Sequence, residues 1–253
     1  MDEEAQPLTT PIIRPERLRF AHLWKAAKTY ENAFEFDPYT LYLKADGKSS
    51  PAPTRARNLT VLGLWSIKDI FLTVNGGSAL MVAFPNFFGE KTPFERFIDT
   101  LWVRILETGK KTEEQAKRAQ ETNEKSKAAL DATIRDRLED MIFLGLLATE
   151  PASQGKGYGG ALLEAINDYA DKHNKAMWLT SSNILNEPFY NSHGFKAVAT
   201  FYMGDGNPAW TEKPIPIQLM VREAKNKSES RTSRRPNASF KHLDPTLPLR
   251  SLV

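Results

Sequence analysis

The chain has 253 residues, of which 41% are apolar, 26% charged and 10% aromatic, a balance that supports a globular protein with material for a core. It contains no cysteine, which excludes a disulfide framework, a thiolate metal site and a cysteine nucleophile, and no apolar run approaches the ~18 residues that span a bilayer. Of its formal charge of +3, residues 224–253 contribute +5 (seven basic, two acidic) and the rest −2 (27 basic, 29 acidic). The basicity therefore belongs to the tail, which speaks against a nucleic-acid-binding body. The start, MDEEAQPLTT, is acidic and lacks the apolar stretch of a secretory signal. Together with the missing cysteines this leads us to expect an intracellular, cytoplasmic protein. Arg234-Arg235 leaves a nuclear location open on thin grounds.

Ile12-Ile13-Arg14-Pro15 reads as a short strand. From Glu16 to about Phe36, Leu18, His22, Leu23, Ala26 and Tyr30 recur at helical spacing. Asp37-Pro38 breaks that helix, because the residue before a proline is pushed out of the α region. A polar loop with Gly47, Ser49, Ser50, Pro51 and Pro53 leads into a second helix that ends near Ile70. Phe71 to Val74 and Ser78 to Phe84 flank Asn75-Gly76-Gly77, the signal of a hairpin, and Pro85 ends it.

Residues 90–138 read as a helical insertion. Phe94, Phe97, Ile98, Leu101, Trp102 and Ile105 mark one amphipathic helix; Lys110 to Arg137, rich in Glu, Lys, Ala and Gln, is expected to be helical and mostly solvated. A lid or partner contact is the lesser alternative there. Met141 to Ala148 is apolar throughout, which suits a central strand covered on both faces. Leu162, Leu163, Ile166, Tyr169 and Ala170 then trace a helical face, Met177 to Thr180 a strand and Leu185 to Ser192 a short helix. Phe195 to Met203 and Ile215 to Val221 read as the last strands. One domain over residues 1–223 and a poorly ordered basic tail over 224–253 are expected.

The chemistry begins at Gln154-Gly155-Lys156-Gly157-Tyr158-Gly159-Gly160, between a buried strand and a helix. Glycines let backbone N–H groups approach a ligand closely, and the helix start adds unpaired donors and a positive dipole end. In physical terms this is a pyrophosphate cradle, to which Lys156 can add charge and Gln154 an amide. A nucleotide-binding P-loop is excluded, since no Ser or Thr follows Lys156. The spacing Gly155-x-Gly157-x-x-Gly160 matches a dinucleotide fingerprint, but no acidic residue stands near Leu179-Thr180-Ser181, where the ribose would need one. A plain packing turn is the remaining alternative.

The stretch from Leu147 to Leu163 resembles the strand-to-helix signature of the GNAT acyl-CoA-dependent N-acetyltransferases, Gln/Arg-x-x-Gly-x-Gly/Ala, with Gln154, Gly157 and Gly159 at its defining positions. A second block, Asn183-x-x-Asn186-x-x-Phe189-Tyr190-x-x-x-Gly194-Phe195, is similar to the family's later acetyl-CoA motif. The two blocks have the family's order and separation and cover about residues 139–205. Trp178-Leu179 followed by Ser182 and the Phe-Tyr pair look most like the small-molecule, puromycin-type members.

The resemblance implies an α/β fold with a mixed, mostly antiparallel central sheet, flanked by helices, whose splayed strand pair holds acetyl-CoA. It further implies an acetyltransferase that acts on a primary amine through a ternary complex. A small-molecule amine is the expected acceptor, with a histone or other protein as the alternative. A non-catalytic acyl-CoA-binding module is the alternative of a different class. No membrane or nucleic-acid partner is expected, and the oligomeric state is left open.

Backbone groups of Leu147, Ala148 and Thr149 would pair with the pantetheine arm as an added strand does, and a free N–H there would steady the thioester oxygen. Tyr190 is the expected general acid, since a phenol of pKa about 10 is protonated at neutral pH and can donate to a departing thiolate of about 8.5. Aromatic packing is its alternative role. Asn183 and Asn186 are expected near the cofactor, with a helix cap as the alternative for Asn183. Glu139 and Asp140, opening the apolar strand, are the candidate bases by sequence; Glu150 reads as structural or solvated. The four histidines, His22, His173, His193 and His242, have no paired ligand spacing, so no metal is expected. Trp65 and Trp102 are candidates for an acceptor cleft.

Overall fold

The computed structural model describes residues 13–45, 51–106 and 112–225; the expectations for the tail from residue 226 and for Ile12 lie outside them. Strand β1 (Glu16–Arg17) follows Pro15 instead of spanning 12–15, as a proline offers no N–H to a ladder. Helix α1 (Leu23–Ala33) starts after one 3-10 turn, Phe20–His22. It ends at Ala33, capped by Phe34 and short of the expected break at Asp37; Asp37 instead starts a helix that its composition does not announce, α2 (Pro38–Lys44): Asp37 Oδ1 accepts from Thr40 N at 2.8 Å, with proline at the first helical position. Next come α3 (Pro51–Lys68) and the hairpin of β2 (Ile70–Val74) and β3 (Ala79–Phe84). Its turn needs positive φ at Asn75 (52°), Gly76 (58°) and Gly77 (110°).

The stretch read as an insertion carries α4 (Pro93–Leu106) and α5 (Glu113–Thr133), the latter opened by a capping box between Thr112 and Gln115. The remaining elements are β4 (Ile142–Thr149), α6 (Tyr158–Lys172), β5 (Met177–Ser181), α7 (Glu187–Ser192), β6 (Lys196–Met203) and β7 (Ile215–Arg222).

The strands form one sheet of order β1-β2-β3-β4-β5-β7-β6. Every neighbouring pair is antiparallel except β4–β5, which is parallel because α6 carries the chain back across the sheet. On one face Ala26, Leu62, Trp65, Trp102 and Leu130 pack over Phe143, Leu146 and Trp178. On the other, Leu162, Leu163 and Ile166 of α6 cover Ile142, Leu144 and Leu179. The apolar run of β4 is thus buried on both sides, as its composition requires. Among the described residues no helix is long and apolar enough to cross a membrane.

Helix α5 departs from the solvated helix expected of it. Arg118, Thr122, Ser126 and Leu130, four residues apart, form a buried stripe against α2 and β6. Arg118 donates to Tyr42 O at 2.8 Å and Ala209 O at 3.3 Å, pairs with Glu114 at 2.5 Å, and lies over the rings of Tyr42 and Trp210 at 4.6 and 5.4 Å. Glu121 accepts from Gly204 N at 3.0 Å and from the Tyr42 hydroxyl. Burial and that carboxylate raise the Tyr42 hydroxyl far above its ordinary value. A polar stripe can be buried here because its groups find partners.

Candidate active site

Strands β4 and β5 pair only through Ile142↔Met177 and Phe143↔Trp178. Beyond those pairs they separate, and β4 runs on to Thr149 beside β3 alone. The splay starts at a bulge. Val82 faces Leu146 and Ala83 faces Leu144, so Gly145 has no partner on β3, an extra residue that bends β4. In a ladder, alternate N–H and C=O groups point to opposite sides. From Leu144 to Thr149 those turned away from β3 face a gap between the strands. Leu147 and Thr149 are half-buried and Ala148 is buried along this edge.

The glycine turn stands at the open end of the gap. Gly155 and Gly157 have φ of 74° and 78°, the left-handed region that favours glycine. Gly157 caps α6 without a side-chain bond; the first N–H groups of that 15-residue helix, at Tyr158, Gly159 and Gly160, have no carbonyl one turn back. A Cβ on Gly155 would meet nothing within 4 Å, so the turn is open to a ligand at that point. A Cβ on Gly157 would lie 3.2 Å from Ile13 Cδ1. At Gly159 and Gly160 the absence of a side chain lets α7 close in: a Cβ would lie 3.4 Å from Phe189 Cζ and 3.3 Å from His193 Nε2. Gln154 Nε2 donates to Thr149 O at 3.4 Å and Lys156 Nζ to Ala152 O at 2.9 Å, so both side chains fold back on the turn.

Tyr190 is on α7, its ring 5.4 Å from Phe189 and 6.0 Å from Phe195, on the face of the sheet that α6 covers. Burial pushes its hydroxyl up to about 12, so it holds its proton at any physiological pH. Asn183 caps the 3-10 turn before α7, its Oδ1 accepting from Leu185 N at 3.0 Å, and Asn186 is exposed at the start of α7.

The structure does not bring Glu139 and Asp140 to this site. Both are exposed in the 3-10 turn Arg135–Asp140, before the first residue of β4. The eight residues of β4 separate them from the glycine turn, about 25 Å of extended chain. Trp65 and Trp102 are not in the gap either; they are buried with ring centres 6.1 Å apart between α3 and α4. The cavity that Trp102 lines is shared with Lys68, Asp69 and Asp99, near the end of β3.

Two carboxylates that do stand at the open end were not singled out as bases by sequence. Asp37 Oδ2 accepts from the Ser182 hydroxyl at 2.9 Å, just past the end of β5. Glu150, just past the end of β4, accepts from Asn32 Nδ2 at 2.8 Å. The local signal for Asp37 was its place before a proline, which marks a helix cap as well as a break. On the same face, a cavity between α5 and β5–β7 is lined by Thr122, Ser126, Trp178, Thr180 and Ser182 among others. Among the described residues no cluster of His, Asp and Glu could hold a metal ion.

Comparisons with known proteins place this splayed parallel pair and its glycine turn in the GNAT fold. Residues 119–197, about a third of the chain and running from within α5 to the start of β6, match the acetyltransferase (GNAT) domain. An uncharacterized N-acetyltransferase of Schizosaccharomyces pombe is 27% identical over 107 residues, 42% of this chain and 41% of the relative, so the likeness spans less than half of its length. The solved arylalkylamine N-acetyltransferase 2 of Aedes aegypti is similar over 84% of this chain and 99% of its own, with a TM-score of 0.58 and 13% identity. An agmatine N-acetyltransferase is similar over 83% and 99%, with a TM-score of 0.57 and 13% identity. At such identities these two establish the shared fold.

Proposed function

We propose that the protein is an N-acetyltransferase that moves an acetyl group from acetyl-CoA to a primary amine of a small molecule, both substrates being bound together. The observation that carries this reading is the parting of β4 from β5 after Phe143 and Trp178, with the glycine turn and the uncapped start of α6 at the open end. The donor supplies an activated acyl thioester. The left-handed turn at Gly155 and Gly157 and the N–H groups of Tyr158, Gly159 and Gly160 suit its pyrophosphate. The unpaired edge of Leu147, Ala148 and Thr149 suits an extended amide-bearing arm, and a free N–H there steadies charge on the carbonyl oxygen.

An alkylammonium of pKa about 10 must lose a proton before it can attack. Asp37, hydrogen-bonded to Ser182, accepts that proton through the serine hydroxyl; Glu150 is the carboxylate on the other side of the mouth. Tyr190 donates a hydrogen bond to the departing sulfur. The neighbours in fold include enzymes whose names give small amines as substrates, which agrees with a small acceptor.

Calorimetric titration with acetyl-CoA, CoA and NAD side by side tests this. Both CoA forms are expected to bind and NAD not, and Gly157→Glu is expected to weaken CoA binding at least 100-fold, by adding a side chain at positive φ and a negative charge beside phosphate. Unchanged CoA affinity in that variant would refute the cradle.

A further inference from the structure

A cavity outside the active site lies at the other end of the sheet from the glycine turn, where Asp69 joins α3 to β2 and Phe84 ends β3. It has about 70 Å³ of room. A water needs about 10–15 Å³, so a group of about four or five non-hydrogen atoms fits there and a substituted ring does not. Phe84, Phe87 and Trp102 form its apolar walls.

Four charges meet in the remaining wall and cancel. Lys68 Nζ lies 3.2 Å from Asp69 Oδ1 and 3.0 Å from Asp99 Oδ1, and Lys91 Nζ lies 2.6 Å from Asp99 Oδ2. Glu95, also at the cavity, is turned to Thr92, whose N and Oγ1 donate to its Oε2 at 2.7 and 2.8 Å. Two polar atoms are left over. Asp69 is 6% exposed and Trp102 3%, and among the described residues neither Asp69 Oδ2 nor Trp102 Nε1 has a hydrogen-bond partner. One is an acceptor lacking a donor, the other a donor lacking an acceptor, and either left unmet inside a protein is unfavourable.

Charge decides between occupants once Asp69 is ionised. An ammonium would meet Asp69 but add a positive charge to a balanced network and leave the indole N–H unmet. A carboxylate would meet Trp102 but stand against Asp69 as a like charge. A neutral group that carries N–H and C=O side by side meets both.

We infer that this cavity is a second binding site of the protein and takes a small carboxamide, its N–H donating to Asp69 Oδ2 and its carbonyl accepting from Trp102 Nε1–H. Phe84 and Phe87 cover its apolar side. Phe87 packs on Phe143 with ring centres 4.8 Å apart, and Phe143 stacks on Trp178 at 4.1 Å. Phe143 and Trp178 are the last pair before β4 and β5 part, so an occupant rests on the frame of the active site and not in the path of its substrates. The inference does not depend on acetyl-CoA binding.

The test follows the indole N–H signals of the five tryptophans in two-dimensional NMR spectra of the full chain. The pH is 8, above the value of about 7 to which burial raises Asp69, and the Trp102 signal is the one missing from Trp102→Phe. Acetamide, acetate and methylammonium are titrated in turn, small probes that are neutral, negative and positive. Acetamide is expected to move the Trp102 signal along a saturating curve, half-complete below about 20 mM, and the other two to need at least ten-fold higher concentrations. Asp69→Asn, which removes the charged acceptor, is expected to weaken acetamide at least five-fold. Trp102→Phe, followed by saturation transfer to the acetamide methyl signal, is expected to do the same and carries the test should Asp69→Asn melt early. A Trp102 shift that grows without saturating, or that the exposed Trp24 shares, overturns the inference and leaves the cavity to water. Equal binding of acetate or methylammonium overturns it as well, as does an acetamide affinity that neither variant lowers.

Discussion

Replacement of Tyr190 by phenylalanine isolates one hydroxyl. The ring contacts with Phe189 at 5.4 Å and Phe195 at 6.0 Å survive the change, so the packing of α7 should persist and any loss of rate reports chemistry. With its pKa pushed up to about 12, this phenol is a weaker acid than a thiol of about 8.5 by about 3.5 pH units, about 5 kcal/mol. Complete proton transfer to a released thiolate is uphill by that amount. The contribution of Tyr190 is therefore a hydrogen bond to developing negative charge, and the loss belongs near the lower end of the 10²–10⁴-fold range for acid–base groups, about 100-fold or ~3 kcal/mol.

The assay is steady-state kinetics with saturating amine, following thiol release, from pH 7 to 10.5. Tyr190→Phe should lower kcat about 100-fold with the KM for acetyl-CoA within two-fold and the melting temperature unchanged. In the wild type, a phenol of about 12 is still ~99% protonated at pH 10, so no alkaline decline should be seen there; one of 10 would be half ionised. A variant that keeps more than half of the wild-type kcat would refute the donor role and leave Tyr190 as a packing residue.

Asp37→Asn keeps the cap on α2 but not the base. It should lower kcat/KM at pH 7 at least ten-fold and regain activity toward pH 10 as the amine loses its proton unaided; a flat ratio to wild type across that range would argue against Asp37. Arg118→Met should cost about 3 kcal/mol of stability, because the buried Tyr42 carbonyl and the Ala209 carbonyl lose their donor and Glu114 its cation; a denaturation midpoint equal to wild type would argue against it. Asp69 is buried between α3 and β2 beside Lys68 at 3.2 Å; burial, opposed by that lysine, pushes it up to about 7. A raised carboxyl pKa means that the folded state binds the proton more tightly. This contribution is therefore complete below about pH 4 and lost as pH rises through about 7. Thermal melts should show wild-type stability falling between pH 5 and 8 by on the order of 3 kcal/mol relative to Asp69→Asn; parallel curves would refute this.

Local signals carried most of the fold and half of the site. The eight residues of β4 are apolar on both faces and are followed at once by a turn that demands positive φ, so strand, turn and helix could each be read within a few residues. The hairpin at Asn75-Gly76-Gly77 was legible for the same reason. Helix α2 was not, because its start is a single Asp-Pro pair, which sequence reads first as a break. Nor could sequence find the carboxylates that stand at the open end. Glu139 and Asp140 border β4 in the chain yet occupy its far end, whereas Asp37 meets Ser182 across 145 residues, a contact that only the closed sheet creates.

The misreading of α5 has a more general physical cause. Amphipathic periodicity finds a buried face only when that face is apolar, and here three of the four inward positions, Arg118, Thr122 and Ser126, are polar. Burying them costs desolvation, which Tyr42, Ala209, Tyr39 and Glu114 offset through hydrogen bonds. A face assembled from apolar residues would have held α5 to the sheet equally well. The polar face differs in orienting its neighbours: Thr122 accepts from the Tyr39 hydroxyl, and Arg118 donates to the Tyr42 and Ala209 carbonyls, contacts whose direction apolar packing does not set. The same residues that hide the helix from a hydropathy reading are those that fix its register against α2, so the departure from the simple pattern and the placement of the helix have one origin.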